Sequence, residues 1–148
     1  MNKKHLAYCG LYCENCAVKA KVNPAATLLY AEMRKAGFEH VMRHLPDGEA
    51  FWRFLKGTVE NIQCVCRENS CGNPGCKIRV CAKEKNMDAC PFCEDYPCEY
   101  FDVIFKMYPV LREDNDVLRK HGFEAWGELQ DDRRANGFIY TETYTKAH

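Results

Sequence analysis

The cysteines are the residues of this chain with the clearest chemical potential. All 11 of them fall in two blocks, one near the N-terminus and one in the middle of the chain, with 47 cysteine-free residues between the blocks. Within the blocks the spacings are short: Cys9-x3-Cys13-x2-Cys16, Cys76-x4-Cys81 and Cys90-x2-Cys93-x4-Cys98. A gap of two residues lets two thiolates face one point, which a tetrahedral metal ion requires of a short loop. The spacings therefore predict a protein that binds metal through cysteine.

Zinc is the metal that these spacings favour, with one or two ions per chain. Two four-cysteine sites would use eight of the 11 thiolates, and the sequence does not choose which cysteines share an ion. An iron–sulfur cluster is the alternative, because thiolate spacing discriminates poorly between zinc and iron. The protein would then act in redox sensing or electron transfer.

The first motif also carries a catalytic alternative. Cys9, Cys13 and Cys16 have the spacing by which radical S-adenosylmethionine enzymes hold a four-iron cluster with one open iron. Those enzymes resemble a large partial barrel of strands and helices. This chain has 148 residues and shows no clear alternation of strands and helices, which argues against an enzyme of that class.

Charge and hydropathy narrow the range of possible functions further. The formal net charge is zero, so the chain lacks the basic excess that nucleic-acid binding favours. No apolar run is long enough to cross a bilayer, and no signal-peptide segment follows the charged N-terminus. We therefore expect a cytoplasmic protein without a membrane partner, whose partner is an unknown protein or a small molecule. Disulfides do not persist in that compartment, so metal ligation is favoured over a disulfide framework.

Other residues with chemical potential are assigned to ordinary roles. His40 and His44 would share one face of a helix, a geometry that can bind metal, but surface histidines are the preferred interpretation because sulfur is so abundant elsewhere. Trp126 and the aromatic residues between 101 and 108 are expected in the core rather than in a cofactor pocket.

The segments around the cysteines predict helices. Asn23 and the following proline begin a helix that ends at Gly37. A short helix covers residues 39–45, and another runs from Asp47 to Gly57. Each is placed between the two cysteine blocks.

Further helices are predicted in the second half of the chain. Residues 78–86 form about two turns. The strongest pattern is Phe101, Ile104, Phe105 and Tyr108, which recur at i, i+3, i+4 and i+7. Two later helices, over residues 117–121 and 124–135, each stop at a glycine. The tail from residue 138 onward either adds a short strand or frays.

Three motifs, taken in order, resemble one known family. They are Cys9-Gly-Leu-Tyr-Cys-Glu-Asn-Cys16, Cys76-Lys-Ile-Arg-Val-Cys-Ala-Lys-Glu-Lys85 and Cys90-Pro-Phe-Cys-Glu-Asp-Tyr-Pro-Cys-Glu99. The family is known as domain of unknown function 3795, a set of small cysteine-rich prokaryotic proteins regarded as zinc-binding. The resemblance implies that the eight cysteines of these motifs are the family's cysteines. This chain departs from the family pattern at Cys64 and Cys66, which have one residue between them instead of two, and at the extra Cys71.

The sequence thus predicts a mainly α, small single domain over residues 1–148, with short helices packed around cysteine-rich loops. At most one of Cys64 and Cys66 is expected to bind metal. The candidate ligands are Cys9, Cys13, Cys16, Cys66, Cys76, Cys81, Cys90, Cys93 and Cys98. A metal-stabilised binding module is expected rather than an enzyme, and no catalytic residue is assigned.

Overall fold

The computed structural model describes residues 3–61, 66–68, 73 and 75–140. Those residues contain six α-helices, short helical turns and one isolated β-bridge, and no β-strand. The helices are α1 (Asn23–Lys35), α2 (Phe38–Val41), α3 (Gly48–Asn61), α4 (Lys77–Glu84), α5 (Phe101–Met107) and α6 (Leu111–Ala135). The prediction of a mainly α protein is confirmed. Within the described ranges, no helix is both long and apolar enough to cross a membrane.

The helices between the cysteine blocks form a helical arm, residues 17–61. α1 begins at Asn23, but the prediction that Asn23 caps the helix is wrong: its backbone is helical, and Val18–Val22 before it already form a π-helical turn. The chain turns after α1 at Gly37, whose φ of +74° favours glycine. α1 packs on α2 and α3, and none of its side chains is buried. Leu28 is 64% exposed and Phe54 is 73% exposed. The arm therefore presents apolar side chains to its surroundings.

Two helices differ from their predicted bounds. α3 continues to Asn61 instead of closing at Gly57. Leu55 and Thr58 are buried on either side of that glycine, and this burial outweighs the weak helix propensity of glycine. α6 consists of two helical stretches that meet at Gly122, whose φ of +81° and ψ of −175° are not helical, so the helix before this glycine ends there as predicted. That first stretch starts at Leu111, six residues before its predicted start at residue 117.

Smaller differences concern the turns. The predicted helix over residues 39–45 is divided into α2 and a 3₁₀ turn, Met42–His44. α3 starts at Gly48, one residue after the predicted start at Asp47, which has a φ of +56°. Only glycine fits at this start, because a Cβ on residue 48 would lie 2.1 Å from the carbonyl oxygen of Met42. Residues 138–140 are not in a strand, and the rest of the predicted tail lies outside the described residues.

Two apolar clusters form the core of the described residues. In the first, the rings of Phe101 and Phe105 from α5 lie 5.1 Å apart and pack among buried cysteines. The second surrounds Trp126 of α6, which is fully buried and meets the ring of Tyr12 edge-on at 5.7 Å. The predicted core roles of Trp126 and of the aromatic helix are confirmed.

A buried polar network joins α6 to the first cysteine block. Asp114 is fully buried and pairs with the guanidinium of Arg133. The Tyr140 hydroxyl lies 3.3 Å from Asp114 Oδ2 and 3.0 Å from Gln130 Oε1. Asn15 Nδ2 donates a hydrogen bond to the same Gln130 oxygen at 3.0 Å. Burial raises the pKa of Asp114, and the Arg133 charge opposes this shift.

Replacing Arg133 tests this network. Arg133→Met leaves the buried Asp114 carboxylate without its cation, so we expect the free energy of unfolding at pH 7 to fall by about 3 kcal/mol. Because the folded state raises the pKa of Asp114, the unpaired carboxyl can take up a proton, and the loss should shrink as the pH falls. Urea denaturation at several pH values measures both effects.

Arg134→Met is the matched control for that substitution. Arg134 is 55% exposed and lies 3.8 Å from Glu14. Exposed pairs contribute little, so we expect a loss below about 1 kcal/mol. Equal losses in the two variants would contradict a special role for the buried pair.

Candidate metal centre

The first cysteine motif is held in a tight turn. An isolated β-bridge joins Leu6 to Tyr12. Inside it, the Ala7 N–H donates to the carbonyl of Leu11 at 2.8 Å, and the Gly10 N–H donates to the carbonyl of Ala7 at 2.9 Å. The chain can reverse so sharply because Gly10 has a φ of +95°, which side chains disfavour. Cys9 therefore sits beside the tip of a loop whose backbone is fixed.

Asn115 of α6 fixes this turn from the opposite side. Its Nδ2 donates to the carbonyl oxygen of Cys9 at 3.0 Å, and its side chain also hydrogen-bonds Tyr96 in the third motif. Asn115 is fully buried and touches Gly10 so closely that a Cβ on the glycine would lie 1.7 Å from its Oδ1. One amide thus connects α6 to two cysteine loops.

The third motif has the same kind of local structure. Cys90–Phe92 is a 3₁₀ turn, and the Cys93 N–H donates to the carbonyl of Cys90 at 2.8 Å. The Cys90 N–H in turn donates to the carbonyl of Tyr8 at 2.8 Å. This bond joins the first and third motifs directly, although they are far apart in the sequence.

Arg67 brings Cys66 to the same place. Its Nε donates to the carbonyl of Leu6 at 2.7 Å, and its guanidinium lies 5.0 Å from the centre of the Tyr8 ring. The neighbouring Cys66 is buried, with 7% of its surface exposed. Cys66 therefore lies against the first motif and not in a separate loop.

The thiols form two neighbouring groups. The first contains the buried Cys9, Cys13 and Cys66, with Cys76 partly buried against the same apolar cluster. The second surrounds a cavity of about 340 Å³ that is lined mainly by apolar side chains. Its four cysteines are Cys81, Cys90, Cys93 and Cys98. Cys90 belongs to the cavity and also packs against the first group.

A charged pair borders the second group. Lys85 and Asp95 both line the cavity, and Lys85 Nζ lies 2.5 Å from Asp95 Oδ2. The Cys93 sulfur is 4.0 Å from the same carboxylate oxygen. The hydrogen bond to Asp95 raises the pKa of Lys85, and the nearby Cys93 and Cys81 sulfurs act in the same direction. A cation therefore stands beside the cavity thiols.

Burial keeps Cys9 protonated in the absence of a cation. It raises the pKa of Cys9 well above the usual value, and the nearby Cys66, Cys76 and Cys90 sulfurs shift it in the same direction. A hydrogen bond with the backbone of Leu11 opposes the shift, because it favours the thiolate.

Two further thiols behave in the same way. Burial raises the pKa of Cys13 to about 11, while a hydrogen bond with the backbone of Cys66 opposes it. Burial raises the pKa of Cys90 to about 12, and four neighbouring sulfurs add to this shift. They are those of Cys98, Cys81, Cys93 and Cys76. Such a set of sulfurs can become thiolates together only when a cation balances their charge.

The described thiols fit a metal by type and by grouping, but their side chains do not form a finished coordination sphere. All nine described cysteines are free thiols. Among the described residues, no three His, Cys, Asp or Glu side chains are arranged so that they could hold an ion as they stand. Binding would therefore require thiols to turn about their Cα–Cβ bonds.

The remaining candidate residues take different positions. Cys16 is partly buried and follows the 3₁₀ turn Cys13–Asn15, where its sulfur acts on the pKa of Cys13. His40 and His44 are both exposed on the arm. Cys64 and Cys71 lie outside the described residues.

Three residues that support the cysteine loops were not predicted as such: Gly10, Arg67 and Asn115. A signal for Asn115 existed in the sequence. It lies between Leu111 and Leu118, which are both fully buried on α6, so the helical period places it on the inward face. Its partner Cys9 is 106 positions away and could not be inferred.

The fold and the grouped thiols define a class: a helical protein whose core is built from cysteine-rich loops. The family model described as "Protein of unknown function (DUF3795)" matches residues 5–103, and the chain belongs to this family. The family predicted from the three motifs is therefore confirmed. No curated protein and no solved structure matches the chain.

Gly10→Ala tests the contact between α6 and the first motif. The alanine Cβ would enter space held by Asn115, and the φ of +95° would also be strained. We expect the free energy of unfolding to fall by about 3 kcal/mol or more. Gly37→Ala is the matched control, because Gly37 has a φ of +74° with no atom within 4 Å of a Cβ. Its cost should be about 1 kcal/mol.

A double variant isolates the contact itself. In an Asn115→Ala background the space beside Gly10 is open, so Gly10→Ala should cost only about as much as Gly37→Ala. Denaturation of the four proteins of this cycle gives the interaction energy. Additive losses would contradict the close packing of Gly10 against Asn115.

Proposed function

We propose that this protein is a binding module whose cysteine-rich core is held together by one or two structural zinc ions. The observation that carries the proposal is the gathering of nine free thiols, from segments far apart in the sequence, into two adjoining groups. Zinc suits such sites because it accepts four thiolates in a tetrahedral arrangement and has no redox chemistry of its own.

The two groups suggest two sites. Around the cavity, Cys81, Cys90, Cys93 and Cys98 supply the four thiolates of a closed site. The other site would draw on the four thiols of the first group and on Cys16, whose sulfur acts on the pKa of Cys13, which makes five candidates. They are Cys9, Cys13, Cys16, Cys66 and Cys76. One of these five would be left over, because a structural zinc site takes four ligands.

A structural role for the metal follows from the surroundings of the thiols. Cys9, Cys13 and Cys66 are buried in the apolar core, where a substrate would have no access. Closed sites of this type stabilise loops that are too short to bury a core of their own. The zero net charge disfavours nucleic acid as the partner, and free thiols suit the reducing cytoplasm. The exposed arm is the part of the chain that we assign to partner binding.

Metal analysis of protein purified without oxygen tests this proposal. We expect a colourless protein with one or two zinc ions per chain. Mass spectrometry identifies and counts the bound metals. An absorption spectrum over about 300–700 nm detects the charge-transfer bands of an iron–sulfur cluster. Brown protein with iron and acid-labile sulfide would contradict it.

An iron–sulfur protein is the second candidate. The specific observation in its favour is the size of the cavity, about 340 Å³, which four cysteines surround without converging on one point. A cluster would fill such a space more readily than a single ion. Redox sensing or electron transfer would then be the function, with Cys9, Cys13 and Cys16 as the place for any catalytic cluster.

Single serine variants separate ligands from bystanders. Cys93→Ser removes a thiolate from the cavity group and Cys13→Ser removes one from the buried group, so each should lower the zinc content by about one ion per chain and destabilise the fold. Cys71→Ser is the control, because Cys71 has no counterpart in the family motifs, and we expect it to retain all zinc. The ligand assignment is wrong if Cys71→Ser loses zinc while Cys93→Ser keeps the full amount.

A further inference from the structure

The helical arm contains a groove that the metal proposal does not use. It lies between α1, α2 and α3 and encloses about 280 Å³. This volume lies just below the range of roughly 300–1,000 Å³ that is typical of ligand sites, so only a small ligand would fit the groove. Its side chains are aromatic or charged, apart from one methionine: Tyr30, Glu39, Met42, Arg43, Glu49, Trp52, Arg53 and Lys56.

Two aromatic rings form part of the groove wall. The ring centres of Tyr30 and Trp52 lie 4.9 Å apart, with an angle of 37° between their planes. Both side chains are partly buried, so they are held in place while part of their surface remains open to the groove. Rings of this kind offer a surface on which a planar ligand can stack.

The charged groups of the groove have not paired with one another. Glu39 precedes Arg43 by four residues, and Glu49 precedes Arg53 by four, a spacing at which ion pairs commonly form on helices. Within the described part of the chain, neither arginine makes an ion pair or a hydrogen bond. Lys56 makes only a loose pair at 3.8 Å with Glu60. Two guanidinium forks and two carboxylates thus remain available in one small space.

We propose that this groove binds a nucleoside monophosphate. The rings of Trp52 and Tyr30 pack on each other, so the base would stack on the part of this ring pair that stays open to the groove. The phosphate would accept hydrogen bonds from Arg43 and Arg53, whose planar forks match phosphate oxygens. The ribose hydroxyls would donate hydrogen bonds to the carboxylates of Glu39 and Glu49. A simple anion has no hydroxyl to donate to these carboxylates. The proposal extends the idea of a binding module, with the arm as the binding part, and does not depend on which metal the cysteines hold.

Calorimetric titration of the full-length, metal-loaded protein with adenosine monophosphate tests the proposal. We expect saturable binding at one site per chain. Arg43→Gln and Arg53→Gln should each weaken the affinity about tenfold, because each removes a charge-assisted contact. Lys35→Gln is the matched control: Lys35 is 72% exposed on α1, pairs with Glu32 and does not line the groove. The affinity of the Lys35→Gln protein for adenosine monophosphate should be unchanged.

Ligand fragments distinguish the parts of the site. Adenosine lacks the phosphate and phenyl phosphate lacks the ribose, so both should bind at least about tenfold more weakly than the complete nucleotide. The indole N–H resonance of Trp52 should move on titration of the nucleotide, which places binding at this groove even if a Trp52 variant does not fold.

Three results would overturn the proposal. The first is no binding of the nucleotide at millimolar concentration, and the second is equal affinity of the arginine variants and Lys35→Gln. The third is phenyl phosphate binding as tightly as the nucleotide, which would leave Glu39 and Glu49 without a role. Metal content measured on the same samples keeps this test separate from that of the zinc proposal.

Discussion

The burial of several thiols side by side in an apolar core is the constraint on which the account of this structure depends. A single buried thiol can remain protonated and behave as a small apolar side chain. Here burial and neighbouring sulfurs together raise the pKa of Cys9, Cys13 and Cys90, so the group resists ionisation as a whole. A divalent cation would favour ionisation of all of these thiols together, because the metal would then stabilise each thiolate. Phe101 and Phe105 of α5 pack in the same apolar cluster as these sulfurs.

The long helix α6 provides a second support that is independent of metal. It lies beyond residue 103, where the family match ends, yet its side chains hold the first cysteine motif. Asn115 binds the Cys9 carbonyl, and Gln130 receives a hydrogen bond from Asn15. These contacts fix the backbone of the loop and do not involve its sulfurs. The loop can therefore be partly organised before any ion is bound.

The sequence was most informative where a local signal decides the structure. The repeat of Phe101, Ile104 and Phe105 marks α5, because helical periodicity acts within a few residues. The asparagine and proline at the start of α1 located that helix, although Asn23 does not cap it. Glycine was a less reliable signal for the end of a helix. Gly57 was expected to end a helix, but the burial of Leu55 and Thr58 carries α3 through it, whereas the helical backbone is broken at Gly122 as expected.

The candidate site was predictable only in part. Motif spacing identified the candidate ligands, because two thiolates that are close in sequence must face one point to share an ion. Which distant cysteines meet depends on long-range contacts such as the bond from the Cys90 N–H to Tyr8, which leaves no local trace. The same holds for Asp114 and Arg133, whose pairing is set by the packing of α6 and not by their spacing.

We propose above all that thiolate sulfur from these loops holds zinc. X-ray absorption at the metal edge, on protein purified without oxygen, tests it most directly. The account predicts zinc with a first shell of about four sulfurs at roughly 2.3 Å. A first shell of nitrogen and oxygen around zinc, or iron with bridging sulfide, would contradict it.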